Sequence, residues 1–209
     1  MTPGEHLAAG IAELGLDVNV AAQEKLLAYL QLMSKWNRVY NLTALRNPHE
    51  WVTHHLLDSL SVLPHIRGSM VADVGSGAGL PGLVLAIVKP DCQLISIEAV
   101  DKKAAFQRQV AAELALANVR IEGRRVEEVA LEQGVDTVVS RAFSSLADFV
   151  NLTRHLLKPD GRWTAMKGKQ PLEEIAALPA DVVVREVIAL QVPGLNAERC
   201  VIQIERTES

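Results

Sequence analysis

Only two of the 209 residues are cysteine, Cys92 and Cys200, and neither sits in a metal-ligand spacing. That excludes a disulfide scaffold and a zinc module built on cysteine, and it points to two buried small thiols in a reducing compartment. No apolar run reaches the roughly 18 residues that a spanning helix needs, so no membrane segment is expected. Residues Met1 to Gly15 lack the basic start and apolar stretch of a secretory signal, and a cytoplasmic location is expected. The formal net charge is −4, so an overall basic nucleic-acid binder is excluded. No internal repeat and no low-complexity tract is present, which excludes solenoids and disordered tails.

The chain does have enough apolar residues, 49%, to build a full core for one domain with an appendage. Charge is unevenly spread. Lys102, Lys103, Arg108, Arg120, Arg124, Arg125, Arg141, Arg154, Lys158, Arg162, Lys167 and Lys169 fall in the middle and later parts. Glu5, Glu13, Asp17, Glu205 and Glu208 lie toward the ends. A basic face on an acidic protein and ordinary solvated charge both fit this distribution.

Up to about residue 67 the pattern is helical. Leu26, Leu27, Leu30, Met33 and Trp36 recur at helical offsets, as do Trp51, Val52, His55, Leu56, Ser59 and Leu60 within Pro48 to Leu63. From Met70 onward, strands and helices alternate, the signature of a parallel sheet covered on both faces. Expected strands are Met70–Val74, Gln93–Glu98, Val119–Glu122, Val135–Ser140 and Arg162–Met166. Expected helices are Pro81–Val88, Lys102–Leu116 with Asp101 as N-cap, Val126–Glu132 and Ser145–Leu157. Pro159-Asp160-Gly161 reads as a turn. Val182–Leu190 and Arg199–Ile204 are β-rich and would pair as an antiparallel hairpin at the sheet edge. Residues 1–67 are therefore read as a helical extension packed on a body of residues 68–209.

The most informative stretch runs from Val71 to Gly82, Val-Ala-Asp-Val-Gly-Ser-Gly-Ala-Gly-Leu-Pro-Gly. An apolar strand ends in an acid, Asp73. Gly75, Gly77 and Gly79 alternate, and Pro81 suits the first helical position. Glycines let backbone approach a ligand where a Cβ would clash, and free N–H groups of such a turn favour an electron-rich ligand. Glu98 ends the next strand about 20 residues on, where doubly wound folds place an acid on ribose hydroxyls; a strand-end acid facing water is the alternative. A nicotinamide site usually reads G-x-G-x-x-G, whereas the spacing here is G-x-G-x-G with an acid two residues earlier. Beside a pyrophosphate, Asp73 would repel. Beside the ammonium and sulfonium of S-adenosylmethionine it is useful, so that cofactor is favoured over a dinucleotide.

Other residues carry two readings each. Arg124 and Arg125, after the third strand, would reach phosphate or cofactor, or stay solvated. Phe143 would stack on an extruded base or fill core under its loop. Lys167, at the C-terminal end of a strand, is placed where such sheets bind ligands, and RNA contact is expected of it on the family resemblance given below. His55 and Asp58, at i and i+3, read as a helix-surface pair rather than metal ligands, and no metal site is expected. Trp36, with Lys35 and Arg38 nearby, would touch RNA or anchor the extension, and the anchor is favoured.

Several of these stretches resemble the bacterial glucose-inhibited division protein B family, the 16S rRNA guanine-N7 methyltransferases G. They are Trp36 to Thr43, His54 to Leu60, Asp73 to Gly82, Arg125 to Glu128, Ser140 to Phe143 and Met166-Lys167-Gly168, in that order along nearly the whole chain. The resemblance implies a class I methyltransferase, a Rossmann-like α/β fold with a seven-stranded, mostly parallel sheet whose last strand is antiparallel. It implies S-adenosylmethionine as cofactor and methylation of one guanine N7 in the 530 loop of 16S rRNA, on naked RNA or a 30S particle. By position it assigns cofactor contacts to Gly75, Leu80, Val126, Glu127 and Arg141. Asp73, Gly77, Gly79 and Glu98 join them on the residue-level argument. The family often carries Asp-Ser after the second strand where Glu98-Ala99 stands here, and glutamate still offers a carboxylate. A monomer is expected. A methyltransferase for another substrate and, less favoured, a NAD-binding oxidoreductase remain the alternatives.

The implied chemistry needs little from side chains. Guanine N7 has a free lone pair and no proton, so attack on a sulfonium methyl requires alignment rather than a general base. No catalytic residue is therefore singled out. Cytosine-C5 enzymes need a nucleophilic cysteine, and neither Cys92 nor Cys200 is placed for that. No Asn-Pro-Pro-aromatic element follows the fourth strand, where amino-directed enzymes carry one.

Overall fold

A computed structural model describes residues 1–45, 47–141 and 143–207, with Pro48 described by its backbone alone. Two helices open the chain, α1 (Pro3–Glu13) and α2 (Val20–Tyr40). Thr2 and Glu5 form a capping box at the start of α1, and Asn19 caps α2 by accepting from Ala22 N at 2.9 Å. Helix α2 ends at Asn41, whose left-handed φ of 49° turns the chain. A π-helical segment, Val52–Leu57, then runs into the single turn α3 (Asp58–Leu60).

Seven strands follow, β1 (Met70–Val74), β2 (Gln93–Ile97), β3 (Val119–Glu122), β4 (Val135–Arg141), β5 (Leu157–Lys167), β6 (Val182–Leu190) and β7 (Arg199–Arg206). They form one sheet in the order β3-β2-β1-β4-β5-β7-β6. Pairs up to β4–β5 are parallel, while β7 lies antiparallel to both β5 and β6. The expected hairpin forms, with β7 slotted inside the sheet and β6 left at the edge. The order reverses between β1 and β4, so their C-terminal ends open the crevice where ligands bind in doubly wound sheets.

Four helices alternate with the strands: α4 (Gly82–Val88), α5 (Asp101–Glu113), α6 (Leu146–Thr153) and α7 (Leu172–Ala176). One core cluster joins Leu7, Leu26 and Leu56 from the N-terminal part to Leu83 and Phe106 of α4 and α5. The other joins Val74, Val138 and Trp163 of the sheet to Leu146 and Phe149 of α6. The helical extension thus completes one face of the sheet. Trp36 ties it down, donating through Nε1 to Gln109 at 3.0 Å and packing 5.5 Å from the Phe106 ring. The anchor reading of Trp36 holds.

Several local expectations need correcting. Asp101 is the first residue of α5 rather than its N-cap, which is Val100 and offers no side-chain bond. Pro81 is the N-cap of α4, one position before the expected one. Val126–Glu132 makes only a 3₁₀ turn, Val126–Glu128. Pro159-Asp160-Gly161 does not end a strand. It is an outward bulge within β5, because Val135 pairs with Leu157 while Thr137 pairs with Arg162. Cys92 and Cys200 are free and buried, as expected. Among the described residues no helix is long and apolar enough to cross a membrane.

Candidate active site

The glycine loop leaves β1 at Val74 and enters α4 at Gly82. Gly75 and Gly77 hold φ of +67° and +60°, a region L side chains rarely adopt. Nothing lies within 4 Å of where a Cβ would sit on either, so both backbones face open space. That is the cradle a ligand needs from a loop without side chains. Gly79 serves differently. Its φ is +95°, and a Cβ there would collide with the Leu83 side chain. The missing Cβ there lets α4 pack closely against the loop.

Buried polar groups pin the loop. Gln107 of α5 donates through Nε2 to Ser76 Oγ and to Gly77 O, both at 2.8 Å, and accepts from Ser96 Oγ. Tyr29 of α2 donates its hydroxyl to Ala78 O at 2.7 Å. Burial holds the Tyr29 phenol well above its ordinary pKa, so it stays a donor. Sequence reasoning missed Tyr29, Ser76, Ser96 and Gln107. Each partner is distant in the chain, and no motif announces it.

Both strand-end acids also serve the loop. Asp73 was expected to face a ligand's positive charge, yet it is fully buried beneath the loop. Its Oδ2 accepts from Gly82 N at 2.7 Å, and Oδ1 has no partner. Burial raises its pKa to about 7, against the opposing pull of the Gly82 N–H and Arg141. Glu98 was expected to grip ribose hydroxyls. It is 6% exposed, and its carboxylate already accepts from Gly77 N at 2.7 Å and Val100 N at 2.8 Å.

Two cavities meet at this crevice. One, of about 160 Å³, is lined by Gly75, Gly77, Leu80, Leu42, His55 and Arg141. The other, of about 410 Å³, lies across His55 and Arg141 and is bounded by Leu45, Asp58, Met166 and Arg199. Arg141 is thus the shared wall. Its Nη1 donates to Asp58 Oδ2 at 3.0 Å and to His54 O at 3.1 Å. His55 and Asp58 do not form the expected surface pair. Their segment is buried through Trp51, Leu56 and Leu60, so Asp58 meets arginines rather than water. Both ring nitrogens of His55 are without a partner, and burial together with Arg141 lowers its pKa to about 4. The ring is neutral at physiological pH.

The remaining candidates spread out. Val126 is buried in the core, Glu127 is exposed, and neither lines these cavities. Arg124 pairs with Glu122 at 3.0 Å, and Arg125 is exposed just before the 3₁₀ turn. Phe143 is half-buried and packs on Phe149 with ring centroids 5.4 Å apart. Lys167 borders the larger cavity, but its Nζ is taken by Glu174 at 2.8 Å and Phe143 O at 3.2 Å. Ala142, between Arg141 and Phe143, lies outside the described residues. Among the described residues, no three of His, Cys, Asp or Glu come together to hold a metal.

The fold is shared with solved methyltransferases. A SAM-dependent methyltransferase from Aquifex aeolicus superposes with a TM-score of 0.57 at 18% identity, covering 82% of this chain and 96% of that one. The glycopeptide N-methyltransferase MtfA, solved with S-adenosylhomocysteine, gives 0.63 at 11% identity, covering 73% and 87%. These likenesses define the fold as the Rossmann-like methyltransferase class, as the sequence led us to expect. At the level of sequence, the family model GidB, rRNA small subunit methyltransferase G, matches residues 22–202. The chain is 56% identical to ribosomal RNA small subunit methyltransferase G of Aromatoleum aromaticum, covering 96% of this chain and 97% of that one. With the Neisseria meningitidis serogroup B protein of the same name, identity is 52%, covering 97% and 98%. The chain belongs to the rRNA small subunit methyltransferase G family, and is an S-adenosylmethionine-dependent methyltransferase.

Proposed function

We propose that this protein methylates N7 of a guanine in the 530 loop of 16S rRNA, acting as a cytoplasmic monomer on RNA or a 30S particle. The observation that carries the reading is the pair of adjoining cavities, one on the glycine loop and one beyond it, sharing Arg141 and His55. A methyl donor and a base need such neighbouring seats.

The open backbone at Gly75 and Gly77 fits S-adenosylmethionine, which when bound supplies an electrophilic methyl on a sulfonium. Leu80 and Arg141 line the same space. Gly79, Asp73 and Glu98 act one step back: Gly79 seats α4, and the two carboxylates hold the loop N–H groups of Gly82 and Gly77. Val126 and Glu127 complete the candidate set through the turn after β3, which His155 holds by its contacts with Val126 O and Val129 O. No residue needs to remove a proton, because N7 carries none. The protein's task is to align the base with the methyl group and exclude water. Arg124 and Arg125, both exposed, supply charge for the RNA backbone.

The test is transfer of labelled methyl to 30S particles lacking the modification, followed by reverse-phase separation of nucleosides. Label eluting as 7-methylguanosine supports the reading. Label in another nucleoside, or tight binding of NAD instead of S-adenosylhomocysteine, refutes it.

A further inference from the structure

The larger cavity is built for one kind of ligand edge. Its apolar walls are Leu45 and Met166, and its polar wall carries a pair of arginines from different strands, with Asp58, His54, His55 and Lys167 beside them. Arg141 ends β4 and Arg199 begins β7. One carboxylate, Asp58, only 2% exposed, holds both. Its Oδ2 accepts from Arg141 and its Oδ1 from Arg199 Nε at 2.8 Å. Arg199 Nη1 is fixed on Glu198 O at 2.8 Å, while Nη2 donates to no group among the described residues. Two guanidiniums against one buried carboxylate leave a surplus of positive charge and of donors.

Arginine donates and never accepts. The edge of a base that meets these guanidiniums must therefore present an acceptor. Guanine carries its C6 carbonyl beside N7, where adenine carries an amino donor. A donor wall next to the methyl-transfer position thus admits guanine and opposes adenine, since an unmet amino group against a guanidinium is strongly disfavoured. Lys167 adds no free donor, because Glu174 and Phe143 O occupy it. His55, buried with both ring nitrogens unpartnered, stands where the cavities meet. Being neutral, it adds no further cation beside a purine that becomes positive on methylation.

We propose that Arg199 reads the target base by donating to guanine O6 in this chamber, and that Asp58 is the positioning residue that aims it. The inference rests on the guanine-N7 reading above and adds the group that selects the base.

The test uses 30S particles reconstituted with guanosine, inosine or 2-aminopurine at the target position. All three keep N7, and only 2-aminopurine lacks the C6 oxygen. For the parent protein, inosine should stay within about threefold of guanosine in kcat/KM, and 2-aminopurine should fall by about ten- to a hundredfold. Arg199→Ala should lower guanosine to the level of 2-aminopurine, so that their ratio approaches one. Arg199→Lys keeps the charge without the fork and should also shrink the ratio. Asp58→Asn should shrink it in the same direction. S-adenosylhomocysteine binding with the parental Kd separates loss of base reading from collapse of the cofactor site. An unchanged guanosine to 2-aminopurine ratio in Arg199→Ala or Arg199→Lys overturns the proposal. A parent that binds S-adenosylhomocysteine but modifies none of the three overturns the guanine reading itself.

Discussion

Tyr29 links the N-terminal helices to the glycine loop through one hydroxyl, and Tyr29→Phe removes that hydroxyl alone. The ring stays, with its 6.1 Å stacking on Phe106. What is lost is the 2.7 Å bond to Ala78 O, a buried carbonyl. A buried acceptor stripped of its donor costs about 1–3 kcal/mol. At about 2 kcal/mol, two readouts share the loss. If the loop stays ordered in the free protein, the melting temperature falls by about 4–8 °C, since about 1 kcal/mol shifts a domain of this size by 2–4 °C. If the loop loosens instead, ordering it falls on the ligand, and the Kd for S-adenosylhomocysteine rises by up to about 30-fold. We expect the second to dominate, because Gly75, Gly77 and Gly79 give the loop its freedom. Titration calorimetry with S-adenosylhomocysteine and a thermal melt read both. Trp36→Phe serves as control. It breaks the Gln109 bond on the same helix away from the loop, so it should lower the melting temperature and leave the Kd in place. A Tyr29→Phe protein that binds S-adenosylhomocysteine with parental affinity would refute the clamp.

Gly77→Val should weaken S-adenosylhomocysteine binding at least about tenfold while the fold survives. The new side chain enters open space, and its strain at φ +60° is on the order of 1–2 kcal/mol; calorimetry and circular dichroism check the two halves. Gly79→Ala should do the reverse and lower the melting temperature, because its Cβ strikes Leu83. Lys167→Ala should lower stability, leaving Glu174 without its cation, and should not change the salt slope of RNA binding; a flatter slope would put Lys167 on the RNA. Asp73 gives a pH signature. Its folded pKa, about 7, lies above the unfolded carboxylate range near 4, so the folded state holds the extra proton between them. Stability should therefore fall as pH rises from about 4 to 7 and level off above. Asp73→Asn should flatten that segment of a stability-against-pH curve, and an unaltered slope would remove Asp73 as its source.

Much of the fold was legible because buried parallel strands read as apolar runs between turn signals. Strands β1, β3 and β6 begin and end where the sequence places them. What misled was local grammar overruled by packing. Asp101 resembles an N-cap, but Val100 precedes the helix in extended conformation and the acid falls inside it. Asp73 and Glu98 sit where acids meet ligands, and nothing in the sequence reveals that both also accept from backbone N–H groups of the loop. The larger chamber was invisible for another reason. Asp58 and Arg199 stand 141 positions apart and are joined only by the sheet. The π-helical stretch hid His55 as well, since helical offsets alone suggested a surface pair.

The placement of β7 has a consequence during synthesis. Strand β5 is complete at Lys167, and β6 at Leu190, but the strand that sits between them begins only at Arg199. Until it leaves the ribosome, both neighbours present unpaired edges with nothing to zip them, a state prone to sticking to other chains. A chain broken just before Arg199 would thus lose the covalent tie to the strand that joins β5 to β6. The sheet's two halves in chain order are thus joined by its last strand alone.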